Sequence, residues 1–362
     1  MYFLLINQPQ TENMIKKISL LALAVLLVFL FFRFKALGVF TKIENNFDGQ
    51  TVKIFDKHGA EDIQISHIDS FALVSSTNRQ VYPPVRNEAG GLYRVELKSG
   101  EFKIKTLKSA IPTPFSPHGI SMVKVDDYYR VLAVNNKMGP QTIEEFKFVN
   151  DSLIYVKTHS DSSMISPNDV LAIDRNSFYW TNDHKYTKGI KRFFEGFLAL
   201  KISTVYHFDG KNYNKEVDDI AFSNGIIYDR NRNLIYVASS TGFLVKVYEP
   251  KSDGSLNFIE DIPVGTGVDN VALDEDGNIW VAGHPKLLTL HSYEAAKDKK
   301  ISPSEIVKVT YKSLNDYTIE KIYVNDGSLM SASTVAAPFG NHILTGNLMD
   351  NKFLLLRQKK NK

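Results

Sequence analysis

The 362-residue chain contains no cysteine. That absence excludes disulfides, thiolate metal sites and a cysteine nucleophile. No Gly-x-Ser-x-Gly stretch occurs either, which disfavours the strand-turn-helix elbow of a serine hydrolase. Charge of one sign is also scarce: 43 Lys and Arg stand against 40 Asp and Glu. Five of those basic residues and a single acid fall within residues 1–42. The remainder is close to neutral, so no nucleic-acid footprint is expected. Long helical periodicity is scarce past residue 45. A hydrophobic share of 43% nonetheless rules out wholesale disorder.

The amino terminus carries the one long apolar run. Lys16 and Lys17 precede 15 uncharged residues, 18–32, which end at Arg33 and Lys35. As a helix these 15 span roughly 22 Å, short of the hydrocarbon core, but Arg33 and Lys35 can snorkel and extend the span through Leu37, Val39 and Phe40. A basic start and an apolar middle fit a membrane anchor or a cleaved signal peptide. Residues 1–17 are then cytoplasmic, 18–40 the anchor or signal segment, and 41–362 a domain outside the cytoplasm, secreted if the segment is cleaved.

Beyond residue 45 one pattern recurs six times, an apolar and aromatic strand ending in small or polar residues. It occupies residues 70–76, 130–135, 177–182, 233–239, 278–283 and 341–346. The spacing suits a propeller blade of four strands with its turns. The fold expected is all-β, a six-bladed β-propeller preceded by a transmembrane or signal-anchor helix. Ahead of each strand stands a second recurring feature: Glu61-Asp62, His118-Gly119, Asn168-Asp169, Asn224-Gly225, Asp269-Asn270 and a blander Ser333-Thr334. At the start of each innermost strand these pairs ring the central channel. Their oxygens suit a hard cation, and calcium accepts six to eight of them in loose geometry. Zinc would call for several His or Cys. Any one pair alone reads as a turn; the recurrence at blade spacing is what points to a metal.

Residues 116–121, 166–169, 179–184, 223–226, 268–270 and 279–285 together resemble the paraoxonase/arylesterase family, in the family's order and over roughly residues 45–357. The resemblance implies a six-bladed propeller with two calcium ions (Ca2+) that hydrolyses lactones and aryl esters as small-molecule substrates. It places Glu61, Asn168, Asn224, Asp269 and Asn270 on a catalytic ion, and Asp62, Asp169 and the backbone carbonyl of Ile120 on a structural one. His118 matches the family's water-activating histidine. Asp183 and His184 fall in a motif near the site, and His284 on the pocket wall. Two departures stand out. Asn136 occupies the position of the family's second histidine, which leaves Asp269 as an alternative base. Without cysteine, terminal strands must close the ring by hydrogen bonding alone. Residues 191–201, aromatic and aliphatic with flanking Lys191, Arg192 and Lys201, suit an interfacial helix or a lid. The competing readings are a non-catalytic propeller stapled by calcium and a gluconolactonase-like sugar lactone hydrolase. No protein partner is legible.

Overall fold

The computed structural model describes residues 8–81, 90–110, 114–137, 139–296 and 300–359. Two units, Met1–Lys42 and Ile43–Lys362, are compact each by itself. The first is a helix, α1 (Gln8–Ala36). Its segment Asn13–Ala36 has a mean hydropathy of 2.4, long and apolar enough to cross a membrane. The helix includes the ten residues ahead of the apolar run, 8–17, where Gln, Glu and Lys propagate it readily. It stops where Gly38 adopts φ +78, a left-handed conformation that costs glycine little.

The second unit is a six-bladed propeller. Five blades are continuous in sequence, and the first strands of the six are β3 (Ala60–Ser66), β7 (Pro117–Val125), β11 (Pro167–Ala172), β15 (Ser223–Asp229), β19 (Gly267–Leu273) and β23 (Ser333–Phe339). Each blade is a four-stranded antiparallel sheet in simple order, except that the fifth gains a short extra strand. The first strands contact one another in succession, and β23 returns to β3, so they form the innermost ring. The six sequence repeats are the second strands: β4 (Phe71–Ser76), β8 (Tyr128–Asn135), β12 (Phe178–Asn182), β16 (Leu234–Ser239), β20 (Ile279–His284) and β24 (His342–Asn347).

Why the repeats read as unbroken apolar runs follows from the packing. Six of the apolar clusters lie one between each neighbouring pair of blades. Side chains alternate across a strand, so Leu73 packs toward the second blade while Ala72 and Val74 face the sixth. A strand covered on both faces has no solvent side on which to place polar residues.

Closure uses the amino-terminal strand β2 (Gly49–Phe55), which supplies the outer strand of the sixth blade. It pairs antiparallel with β25 (Phe353–Gln358), from Gly49 opposite Gln358 to Phe55 opposite Phe353. The Phe55 and Phe353 rings stack 4.4 Å apart. The shorter β1 (Asn46–Phe47) extends the fifth blade. Among the described residues two helices interrupt the blades: α2 (Gly189–Phe197), overlapping the stretch expected to be interfacial, and α3 (Leu287–Ala296), which periodicity does not single out. Ile190, Phe193 and Phe194 of α2 are exposed. Its buried Glu195 accepts the Lys185 and Tyr186 backbone N–H groups at 2.8 and 3.0 Å.

Candidate active site

All six innermost strands carry a register break at the same place. In each, two residues oppose one on the second strand: 61–62, 118–119, 168–169, 224–225, 269–270 and 334–335. Such a bulge bends the strand and re-aims its side chains. Five of the six pairs are those the sequence singles out. The sixth shifts by one: Ser333 remains paired with Asn347, and Thr334-Val335 form the bulge. The recurrence of polar pairs is therefore a recurrence of bulges around one ring.

The loops entering two of these strands share a device. Asn135 Oδ1 accepts the Ser116 N–H at 2.9 Å, and Asn182 Oδ1 accepts that of Ser166 at 3.1 Å. Pro117 and Pro167 follow, at the first position of a strand, where a missing donor is tolerated.

Asp62 and Asp169 repeat a second device. Asp62 Oδ1 accepts the Ile63 N–H at 2.7 Å and its Oδ2 the Ile120 N–H of the next blade at 2.8 Å. Asp169 does the same with Val170 at 2.7 Å and Ile226 at 2.8 Å. Between them the ring has no room for side chains: a Cβ on Gly119 would lie 2.4 Å from Asp169 Oδ1, and one on Gly225 2.6 Å from Asn270 Cα.

Four buried oxygens on this ring have no hydrogen-bond partner: Glu61 Oε2, Asn168 Oδ1, Asn224 Oδ1 and Asn270 Oδ1. Three of the four companion atoms are engaged, and the fourth, Asn168 Nδ2, stands beside His118. Asn224 Nδ2 donates to Ser240 Oγ at 3.1 Å, Asn270 Nδ2 to Glu61 Oε1 at 2.9 Å, and Asn168 Nδ2 lies 3.4 Å from His118 Nε2. Orphaned buried acceptors are rare and costly, and a hard cation satisfies them. Three amides and one carboxylate fit calcium and not zinc. Among the described residues no three His, Cys, Asp or Glu side chains gather as a metal-ligating group; the orphaned set is of another kind, dominated by amides.

Electrostatics agree with the donor chemistry. Burial pushes the Glu61 carboxyl well above its ordinary range, with the Asp269 charge adding to it. Burial also raises Asp62 to about 7 and, together with the Asp62 charge, raises Asp169. A nearby divalent cation favours the charged form of such groups. His118 is driven the other way, down to about 3, by burial and then by the Arg79 charge.

Arg79 is the residue that no motif marked. From the loop after β4 its Nη1 donates to the Gly59 carbonyl at 2.9 Å, and its Nη2 to the Pro117 carbonyl at 2.9 Å and His118 Nδ1 at 3.0 Å. Asp269 Oδ2 lies 2.7 Å from His284 Nε2, both side chains buried, so His284 is a partner of Asp269. Asp183 accepts from Ser166 Oγ at 2.5 Å and lies 2.9 Å from His184 Nδ1. Burial alone would raise Asp183, but its contact with His184 prevails and lowers it. Asn136 is exposed: its backbone N–H donates to the Ser116 carbonyl at 2.9 Å, and its Oδ1 accepts from Gln141 Nε2 at 2.8 Å.

The fold and the site define a six-bladed propeller that carries a candidate cation site on its innermost bulges. The Arylesterase family model matches residues 52–354, and the chain belongs to that family as an esterase- or lactonase-type hydrolase. It is 29% identical over 301 residues to serum paraoxonase/arylesterase 2 of Gallus gallus, an alignment covering 80% of this chain and 83% of the relative. Among solved structures, a luciferin-regenerating enzyme shares the fold with a TM-score of 0.53 and 13% identity, covering 87% of this chain and 95% of the other. A putative gluconolactonase does so with a TM-score of 0.51 and 12% identity, covering 86% and 92%.

Proposed function

We propose that the chain is a calcium-dependent hydrolase of carboxylic esters and lactones, with His118 and Asp269 as its catalytic pair. The observation that carries this reading is the set of four orphaned oxygens on Glu61, Asn168, Asn224 and Asn270. With Asp269 they would hold one ion. Asp62 and Asp169, which retain lone pairs beyond the N–H bonds they accept, would hold a second with the Ile120 carbonyl.

Bound calcium supplies polarisation of the ester carbonyl. The chain's own groups manage the proton. His284 engages Asp269 Oδ2 at 2.7 Å, and the carboxylate so held would take the proton of the attacking water. His118, with its pKa lowered to about 3, has an uncharged ring at neutral pH. The apolar helix α1 would tether the chain to a membrane with the propeller outside the cytoplasm, since Lys16 and Lys17 favour the cytoplasmic side.

A panel of phenyl esters, γ- and δ-lactones and sugar lactones, assayed with calcium and with chelator, tests the reading. Hydrolysis is expected with calcium only, and Asp269→Ala is expected to abolish it. Full turnover in chelator would overturn the metal requirement. Calcium binding without hydrolysis of any substrate would favour a non-catalytic propeller, and exclusive use of sugar lactones a gluconolactonase-like enzyme.

A further inference from the structure

We infer that Arg79 fixes His118 as a hydrogen-bond donor through Nε2–H, so that His118 steadies the substrate's carbonyl oxygen while Asp269 takes the proton from water. The inference rests on the hydrolase reading above and divides the roles within its catalytic pair.

With the Arg79 guanidinium 3.0 Å from Nδ1, an imidazolium would set N–H against N–H, so the ring is the neutral one, with one lone pair and one N–H. Two donors compete for the His118 lone pair: Arg79 Nη2 stands 3.0 Å from Nδ1, and Asn168 Nδ2 stands 3.4 Å from Nε2. A guanidinium has no acceptor atom and does not give up its proton. The shorter, charge-assisted contact prevails, so Nδ1 accepts and Nε2 carries the hydrogen. The opposite tautomer would aim Nδ1–H at Glu61 Oε2 across 3.5 Å and set two hydrogens against each other at Arg79. Arg79 cannot swing aside freely, because its two terminal nitrogens are also held by the Gly59 and Pro117 carbonyls.

The consequence is chemical. With its lone pair taken, the ring has no site for a proton from water. Its Nε2–H faces an amide NH2 group, which cannot accept, and is left for an external oxygen. That is the requirement for a donor to a developing oxyanion, whose loss costs roughly 10²- to 10³-fold in turnover. No proton leaves the ring at any stage. Asp269, held by His284 at 2.7 Å, is the acceptor. As the water oxygen bonds the acyl carbon its proton passes to Asp269, and the proton then goes to the alkoxide or phenoxide expelled when the C–O bond of the tetrahedral intermediate breaks. Arg79 itself touches no reacting atom and is a positioning residue.

The experiment pairs side-chain replacement with a direct reading of the tautomer on the full chain in detergent micelles. Glutamine places an amide N–H near the Nε2–H position, whereas leucine supplies neither donor nor acceptor. His118→Gln is expected to retain turnover within about tenfold and His118→Leu to lose roughly 10²-fold or more. In 15N-histidine NMR the His118 signals, assigned by their loss in His118→Gln, should show a pyridine-type Nδ1 and a pyrrole-type Nε2, with calcium and with chelator alike. Arg79→Gln should mix the tautomers and lower kcat more than it raises KM, and Arg79→Lys should restore part of both. Equal losses of roughly 10²- to 10⁴-fold for His118→Gln and His118→Leu, the signature of a general base, would overturn the inference, as would a pyrrole-type Nδ1. A wild-type chain that hydrolyses no ester or lactone would instead sink the function itself, a result independent of the tautomer.

Discussion

Gly119 and Gly225 show how tightly single residues are specified on the innermost ring. Each is the second residue of a bulge, and each stands against the backbone of the following bulge pair. Gly119→Ala would place a methyl 2.5 Å from Asp169 Cα and 2.4 Å from its Oδ1. Neither the backbone nor a carboxylate bonded to two N–H groups yields cheaply. A loss of about 1–3 kcal/mol, the usual cost of overpacking, is expected. Calcium affinity should fall with it, because the displaced carboxylate belongs to the proposed structural ion. Calorimetry and calcium titration of Gly119→Ala check both outcomes; Tm and affinity equal to the wild type would refute the close approach. At the same scale, Asp269 and His284 sit 15 positions apart in sequence and 2.7 Å apart in space. Nothing in the residue spacing cues that pairing, and from the sequence His284 reads only as a wall of the pocket.

Between elements, a buried ion network fastens the second blade to the third. Arg130 of β8 donates to Glu145 Oε2 at 2.9 Å and crosses to the Asp174 and Ser177 carbonyls of the third blade at 3.0 and 2.9 Å. His159 Nε2 lies 2.9 Å from the same Glu145 oxygen. Burial alone would raise the Glu145 carboxyl, but hydrogen bonds from His159 and Arg130 outweigh it and bring it down to about 2. An unfolded glutamate titrates near 4.3, so the native state prefers the charged form. The stability this contributes is complete above about pH 4.3 and is lost as pH falls through about 2. Glu145→Gln is expected to cost about 3–5 kcal/mol at neutral pH, since it strands a buried guanidinium. The variant's stability should also fall less steeply than the wild type's between about pH 4 and pH 2. Urea unfolding across pH 2 to 7 reads both, and parallel acid limbs would refute the assignment.

For the whole molecule, the ring is closed by β2 against β25 and by nothing covalent. The Lys359 N–H donating to the Asp48 carbonyl at 3.0 Å extends that seam, so both ends of the propeller are held in one sheet. Ahead of it, α1 has the length and apolarity of a membrane span, and the placement proposed for the propeller makes a plain expectation. Protease added to intact cells should degrade the propeller while the chain fractionates with membranes. A mature chain beginning between residues 30 and 45 would instead show a cleaved signal, and a propeller protected in the cytosol would overturn both versions.

Much of this was legible in the sequence, for a physical reason. A propeller repeats one blade, every second strand is buried on both faces, and an unbroken apolar run of fixed spacing is the result. The polar pairs were legible too, because five of the six equivalent bulges carry polar or glycine residues at both positions. What the sequence could not declare is the bulge itself, which exists only when two residues find one partner on a neighbouring strand. For the same reason it assigned the sixth pair to Ser333-Thr334, where pairing with β24 puts it at Thr334-Val335. Arg79 escaped altogether: its carbonyl partners Gly59, Pro117 and Leu348 lie 20, 38 and 269 positions away. No local pattern records a contact whose partners are gathered only when the ring closes. The residue types on the ring were written in the chain; which of their atoms remain without a partner, and so what the ring can bind, was decided by the tertiary structure.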